Sequence, residues 1–303
     1  MIVALTGATG FIGRYLADHL LCQGHTLRCW YRPSSDRSGL EHLNGLEWVA
    51  GELGEAEDSQ RLVAGCDAVV HAALSRPGKG FGGAEGDIVE FVATNVLGTL
   101  KLIEAARSAG VGRFVCFSTC AVHDKILSDR PLDETHPLWA KTHYGAHKAA
   151  IEKFVHSYGL GTGYPICALR PTGVYGTASP AENSKWYDLV SAVVRGEPVD
   201  GSGGGKEVHA ADVAKAAGLL LTADAISGEA FNCYDRYVSQ YEVATIAKQL
   251  SGSNSVIRGE AKQPKHQIAV DKIQALGMSF GGDDLLQQSI AELVAHAKQV
   301  RPH

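Results

Sequence analysis

Apolar residues along this 303-residue chain follow two rhythms. Short apolar runs occur at 2–5, 26–31, 46–51, 67–73, 113–118 and 165–170. Runs of that length, bounded by Gly, Pro or polar residues, predict buried strands. Between them apolar positions recur at helical spacing. Ile12, Leu16, Leu20 and Leu21 do so in 11–22, and longer helices are predicted over 88–109 and 143–158. The stretch 88–109 carries apolar residues on more than one face, which predicts two buried faces, one on the sheet and one on a neighbour. Strands alternating with helices predict an α/β fold with a doubly wound parallel sheet over residues 1–176. Past Gly176 the rhythm changes. Helices are predicted at 184–195, 210–221, 240–250 and 283–298, with a glycine-rich turn at 201–205 and short strands at 231–234 and 255–258. This is too little sheet for an independent fold. Residues 177–303 are therefore expected to form a small substrate-capping lobe, with helix 210–221 returning to the first domain.

The join between the first strand and first helix carries the first chemical signal. Thr6-Gly7-Ala8-Thr9-Gly10-Phe11-Ile12-Gly13 is a glycine-rich turn opening into a helix. Gly7 permits the tight turn, Gly10 lets backbone approach a pyrophosphate, and Gly13 lets the helix pack close to the sheet. Thr9, Phe11 and Ile12 complete a corner whose helical N–H groups and dipole favour an anion. This predicts a Rossmann-like dinucleotide site. The second strand should end at the adenosine ribose, where an NAD site places an acidic residue. Here Tyr31 and Arg32 stand there. A guanidinium attracts a 2′-phosphate, which favours NADP, with NAD as the alternative. Arg14 is a second phosphate candidate, and Glu52 and Leu53, after the third strand, are expected to flank the adenine. The small pair Ala72-Ala73 lets a cofactor lie against backbone. The glycine-rich 75–87 segment is expected to be a flexible loop.

The second signal lies on helix 143–158. Tyr144 and Lys148 are four residues apart and share one face. A neighbouring ammonium favours the phenolate, which predicts a tyrosine pKa lowered toward neutrality and usable as a general acid or base. Thr119, at the end of the fifth strand, is expected in the same crevice, orienting a substrate oxygen.

Composition narrows the classes. A net charge of −5 and the lack of a basic run argue against nucleic acid and against an anionic membrane surface. No apolar run is long enough for a transmembrane helix, and the first strand is expected to leave no room for a signal peptide. Seven scattered cysteines without a Cys-x-x-Cys pair predict reduced thiols and a cytoplasmic protein. His143 and His147 are helically spaced, but no third ligand is placed nearby, so no metal is expected.

Together these motifs resemble the extended short-chain dehydrogenase/reductases, within the NAD(P)-dependent epimerase/dehydratase family. The likeness runs from Thr6–Gly13 through His71-Ala72-Ala73, Asn95-Val-x-Gly-Thr99, Ser118-Thr119 and Tyr144-x-x-x-Lys148. It continues through Arg170-Pro171-Thr172-Gly173-Val174-Tyr175-Gly176 and 208–213 to Leu276-Gly277. The resemblance implies catalytic Thr119, Tyr144 and Lys148. It implies cofactor contacts from the glycine corner, His71, Asn95, Ser118, Arg170, Pro171 and Thr172. It also implies a homodimer through helices 88–109 and 143–158, and a small-molecule substrate. Leu74, Ser75, Trp139, Tyr175, Trp186 and His209 are substrate candidates. The departures bear on the substrate. Gly173 stands where sugar-nucleotide epimerases often carry Asn, and Gly205 where they often carry Arg. Cys120-Ala121 replace the Asp-Glu of the dehydratases, so the acid needed to expel water is missing. His123 and His147 replace a usual Tyr and Ser. Three functions stay open: an oxidoreductase acting on a secondary alcohol or ketone, a nucleotide-sugar epimerase with tightly held NAD, and a non-catalytic NADP-binding sensor.

Overall fold

The computed structural model describes residues 1–41, 43–76 and 85–299; most of the 75–87 loop expected from the sequence lies outside them. In chain order the elements are β1 (Ile2–Thr6), α1 (Phe11–Cys22), β2 (Thr26–Tyr31), β3 (Leu46–Ala50), α2 (Ala56–Val63) and β4 (Ala68–His71). Then come α3 (Ile88–Val92), a π-helical turn (Ala93–Leu97), α4 (Gly98–Ser108), β5 (Arg113–Phe117), α5 (His143–Thr162), β6 (Ile166–Pro171) and β7 (Gly173–Tyr175). The remainder is α6 (Tyr187–Arg195), β8 (Val199–Asp200), β9 (Gly204–His209), α7 (Ala210–Thr222), β10 (Glu229–Cys233), β11 (Arg236–Ser239), α8 (Gln240–Ser251), β12 (Ile257–Arg258), α9 (Asp271–Gln274) and α10 (Gly282–Gln299).

The chain forms two compact units. The first comprises 1–171, 213–233 and 268–278; the second comprises 172–212, 234–267 and 279–303. Most of the helix expected at 210–221 falls in the first unit. Residues 172–176 belong to the second unit, and two later segments return to the first.

The first unit is built on a seven-stranded sheet in the order β10-β6-β5-β4-β1-β2-β3, parallel throughout. Its inner strands are buried on both faces, as parallel sheets require. One face packs Leu62 and Val63 of α2, Leu102, Ile103 and Ala106 of α4, and Ile151 and Val155 of α5 onto Val69, Phe114 and Ile166. Elsewhere in the unit α1 meets α7, where a Cβ on Gly218 would stand 2.9 Å from His19 Nε2. The short strand expected at 231–234 proves to be the seventh strand of this sheet, over 229–233, pairing with β6. The amphipathic α2, absent from the sequence reading, is only eight residues long and mostly polar, too short for its period to stand out.

The second unit contains more sheet than expected. β11, β9 and β7 form a three-stranded sheet, and β12 pairs with β8. The strand β9 reads Gly-Gly-Lys-Glu-Val-His, which resembles a turn in sequence because its first half carries no apolar side chain. Val190, Val193 and Val194 of α6, Val243 and Ile246 of α8, and Leu286, Ile290 and Leu293 of α10 make the core of this unit.

Candidate functional site

Three glycines shape the corner between β1 and α1. Gly7 has φ +79°, where only glycine sits without strain, and a Cβ there would stand 2.9 Å from Ala73 N and 3.0 Å from Ala72 C. The end of β4 thus lies against the turn. A Cβ on Gly13 would come within 1.9 Å of Gly7 O, so the helix approaches the turn by backbone alone. Gly10 is the N-cap, in extended conformation and with no side-chain cap. Gly10 is exposed, and Thr9, Phe11 and Ile12 are partly exposed beside it. An uncapped helix end with orphan N–H groups, reachable from solvent, is what a pyrophosphate requires.

His71, expected to touch a cofactor, is instead the centre of a buried tie. The Ala73 N–H donates to Thr6 Oγ1 at 3.1 Å, and Thr6 Oγ1 is 2.8 Å from His71 Nδ1. His71 Nε2 is 2.9 Å from Thr99 Oγ1, whose own hydrogen goes to Asn95 O at 2.6 Å. That last bond sets the polarity of the chain: Nε2 carries the imidazole proton and Nδ1 accepts from Thr6. Burial, helped by the charge of Lys148, pushes the His71 pKa down to about 3, so the ring is neutral. Asn95 continues the tie. Its Oδ1 accepts from Ser75 N, and its Nδ2 donates to Ser75 O and Phe91 O, at 2.8, 2.8 and 2.9 Å. Asn95 lies in the π-helical turn, and its amide is spent on the backbone. The side chains of His71 and Asn95 therefore position the chain around Ala72–Ser75 and offer nothing to a ligand directly. Thr6 and Thr99 were missed; only their places near the glycines and Asn95 marked them.

The face of α5 docks on the end of β5 in three rungs, one helical turn apart. Tyr144 hydrogen-bonds the Thr119 side chain. Lys148 Nζ donates to Phe117 O at 2.7 Å. Glu152 accepts from Ser118 Oγ. Thr142 caps the helix by accepting from Gly145 N at 3.0 Å. Gly145 is required because a Cβ would stand 2.8 Å from Ala121 O. Because β5 lies next but one to β1 in a parallel sheet, Thr119 ends up about 10 Å from the glycine turn, on the same edge.

The electrostatics overturn the expectation of a phenol lowered toward neutrality: the Tyr144 pKa lies above its ordinary value. Burial raises the Tyr144 pKa, opposed by the Thr119 hydrogen bond and by the Arg76 charge. Burial outweighs those two opposing influences, and Lys148, anchored on the Phe117 carbonyl, supplies none of the expected lowering. The Lys148 ammonium is itself lowered by burial, against the fields of Cys116 and Glu152. Arg76 was missed because it follows the strand end by several residues in a glycine-rich context.

Arg170, expected at the cofactor, is 1% exposed and wholly engaged within the protein. Its Nε donates to both Glu152 oxygens at 2.9 and 3.1 Å, and Nη2 donates to Oε2 at 2.5 Å. Nη1 donates to Glu134 O at 3.1 Å and reaches His123 Nε2 at 3.3 Å. Ser118, also expected at the cofactor, spends its hydroxyl on the same carboxylate. Glu152 continues the i, i+4 spacing of Tyr144 and Lys148, the signal that would have found it. Pro171 is buried at the end of β6, and the Thr172 hydroxyl is buried without a partner.

At the end of β2, Arg32 is exposed and Tyr31 partly so. Arg37, absent from the sequence reading, lies over the Tyr31 ring, with Cζ 4.4 Å from its centroid. Arg14 is tied to the following loop, donating to Ser38 O at 2.6 Å and Asp36 O at 3.0 Å. Glu52 is exposed, whereas Leu53 packs onto the core, where a Cβ on Gly98 would stand 3.1 Å from its Cγ.

The substrate candidates separate. In the first unit, Leu74 is half-buried, Ser75 is held by Asn95, and Trp139 is 48% exposed with Lys125 Nζ 4.9 Å from its ring centroid. In the second, Tyr175 and Trp186 are core residues, with rings 4.9 Å apart. His209 Nδ1 accepts from Ala211 N at 3.1 Å, and burial pushes its pKa down to about 4. Tyr175, Trp186 and His209 are thus packing residues rather than an open surface. Among the described residues no cluster of three or more His, Cys, Asp or Glu could hold a metal ion, and no helix is long and apolar enough to cross a membrane.

Comparison with known proteins finds relatives in both sequence and fold. The chain is 31% identical over 229 residues to a 4-hydroxy-2-methyl-3-oxo-4-farnesyl-3,4-dihydroquinoline-1-oxide ketoreductase of Stigmatella aurantiaca, covering 73% of this chain and 64% of that one. It is 31% identical over 196 residues to a 3-beta-hydroxysteroid dehydrogenase of Mycolicibacterium neoaurum, covering 63% of this chain and 52% of that one. The chain thus spans between half and two thirds of the length of these curated relatives. The fold matches a UDP-glucose 4-epimerase of Thermus thermophilus solved with NAD, with TM-score 0.78 and 24% identity, over 99% of this chain and 100% of that one. It also matches a UDP-glucuronic acid 4-epimerase of Bacillus cereus solved with UDP-glucuronic acid and NAD, with TM-score 0.81 and 20% identity, over 99% and 100% of the two chains. The sequence profile of the NAD dependent epimerase/dehydratase family covers residues 3–233, from the glycine corner through the three rungs of α5 to the seventh strand, and this chain belongs to that family.

Proposed function

We propose that this chain is an NADP-dependent oxidoreductase that moves a hydride between nicotinamide and a secondary alcohol or its ketone, with Tyr144 as general acid or base. The observation that carries the reading is the docking of Tyr144 and Lys148 on the end of β5, on the sheet edge that also bears the glycine corner. The corner fits a dinucleotide: Gly7 and Gly13 leave no room for a Cβ, and the Gly10 end of α1 is uncapped. Gly7, Gly10, Gly13 and the backbone of Ala72 and Ala73 would hold the pyrophosphate side, with Thr9, Phe11 and Ile12 alongside. When bound, the nicotinamide supplies or accepts the hydride. The chain's residues manage the proton. Thr119 holds the Tyr144 hydroxyl in place, and Tyr144 gives its proton to a carbonyl oxygen or takes one from an alcohol. Arg76 favours the phenolate. Lys148, buried and anchored on Phe117 O, keeps an ammonium beside these groups.

NADP is preferred because β2 ends without a carboxylate and carries Arg32 and Arg37 beside Tyr31. The second unit is the substrate lobe. The named ketoreductase and hydroxysteroid dehydrogenase among the relatives favour net reduction or oxidation, with epimerisation as the second reading. The chain pairs as a homodimer through α3, the π-helical turn, α4 and α5, whose exposed apolar residues include Val89, Leu97 and Phe154. Its seven free cysteines fit the cytoplasm.

The test is stoichiometric oxidation of NADPH by the purified chain with a panel of ketones. Tyr144→Phe is expected to lower turnover by about a hundredfold or more while leaving tryptophan quenching by NADPH intact. Unchanged turnover would refute the role of the phenol. Arg37→Ala is expected to weaken NADPH about tenfold and NADH hardly at all; equal losses would refute the NADP assignment.

A further inference from the structure

The phenol of Tyr144 is held at two points. Thr119 bonds its hydroxyl, and a bond at the tip alone would leave the ring free to pivot. The second point is His147, one turn along the same helix. Its ring centroid lies 5.4 Å from that of Tyr144, tilted by 57°. On another side of the imidazole stands Phe91 of α3, edge-on at 4.8 Å and 80°. His147 is 3% exposed and Phe91 4%. Phe91 is itself tied at both ends of its peptide unit. Its N–H donates to Asp87 O at 2.9 Å, and its O accepts from Asn95 Nδ2 at 2.9 Å. Asp87 caps the same helix, accepting from Val89 N and Glu90 N at 2.9 Å.

Polar chemistry does not explain the imidazole. Among the described residues neither of its nitrogens has a hydrogen-bond partner, and the carbonyls of His143 and Tyr144, one turn back, lie near without hydrogen-bond geometry. An orphaned buried polar group is unfavourable. Burial, helped by the charge of Lys148, pushes the His147 pKa down to about 3, so the ring is neutral and adds no charge beside the phenol. The Lys148 ammonium is anchored on Phe117 O, and His71 is held by Thr6 and Thr99. Arg76 is the charge that acts on the phenol. What His147 gives Tyr144 is therefore contact: a flat ring, backed by Phe91, over surface that water would otherwise reach.

We propose that His147 is a positioning residue: pressed between Phe91 and Tyr144, its ring fixes the angle of the phenol on Thr119 and keeps water from that side. This rests on the oxidoreductase reading above and adds a residue to its site. The test compares variants of the full chain. His147→Ala removes the ring, so kcat for ketone reduction is expected to fall about tenfold or more, with KM and NADPH affinity changed less than about twofold. His147→Phe restores an aromatic wall and is expected to recover most of the loss. Phe91→Leu should also lower kcat but add little to His147→Ala, because it acts through that ring. Independently of turnover, Tyr144 is titrated by NMR in a chain carrying isotope-labelled tyrosine, with Tyr144→Phe identifying its signal. Burial is the main cause of the raised Tyr144 pKa, so His147→Ala is expected to lower the midpoint by at least about half a pH unit, and His147→Phe to leave it in place. An unmoved titration in a folded His147→Ala protein, a His147→Phe protein as slow as His147→Ala, or a KM that rises in step with the fall in kcat overturns the inference. A native chain that oxidises no NADPH with any ketone overturns the functional reading instead, and the titration still decides whether His147 holds the phenol.

Discussion

Removing the Glu152 carboxylate is the most severe test of how the site is held together. The pair with Arg170 is 1% exposed on both sides, so Glu152→Ala leaves a guanidinium buried with its Nε and Nη2 hydrogens unpaired. Only the Nη1 contacts to Glu134 O and His123 remain. Breaking a buried pair on one side costs about 3–5 kcal/mol, and the orphaned Ser118 hydroxyl adds about 1 kcal/mol. At about 2–4 °C per kcal/mol for a unit of this size, the melting temperature should fall by about 10 °C or more, read by circular dichroism. Glu152→Gln, which keeps acceptors and shape, should fall less. The double variant Glu152→Leu/Arg170→Met removes both charges and should recover most of the loss. If Glu152→Ala melts within about 1 °C of the native chain, or if the double variant is worse than Glu152→Ala, the buried pair does not carry the docking of α5.

The remaining predictions concern the corner and the histidines. Gly13→Ala drives a methyl group into Gly7 O, so α1 must shift off the turn; NADPH affinity measured by fluorescence quenching should drop at least about tenfold, and unchanged affinity would refute the close packing. His71, His147, His123 and His209 are held neutral chiefly by burial, with pKa values pushed down to about 3, 3, 4 and 4. Below pH 6.5 the unfolded chain takes up a proton on each and the folded chain does not. Stability is therefore fully present above that pH and lost below it, by about 1.4 kcal/mol per pH unit per histidine until the folded pKa is reached. Melting temperatures should fall steeply from pH 6.5 to 5, and a flat profile would mean that these rings are hydrated.

What the sequence revealed followed from local pattern. The glycine corner, the strand runs and the Tyr144–Lys148 spacing each lie within a short continuous stretch of chain, so period and turn chemistry expose them. What it hid depends on partners far apart in the chain. Arg170 stands near the end of β6 as a cofactor ligand would, yet its partner sits on α5 and its other contacts come from Glu134 and His123. His71 and Asn95 look like ligands for the same reason: a polar residue at a strand end or inside a helix marks a site, and only its hydrogen-bond partners in the fold distinguish binding from bracing. In the second unit, β9 carried no signal because it begins with two glycines.

The seventh strand has a consequence for how the chain is made. Six strands of the sheet are complete at Pro171, but β6 receives its outer neighbour only when 229–233 has been added. During translation the ribosome must produce the whole 172–228 segment while the backbone amides and carbonyls of an apolar strand wait unpaired. A nascent chain halted in that interval would present an open, sticky margin of the kind that recruits other strands, so the first unit cannot finish folding before much of the second has emerged.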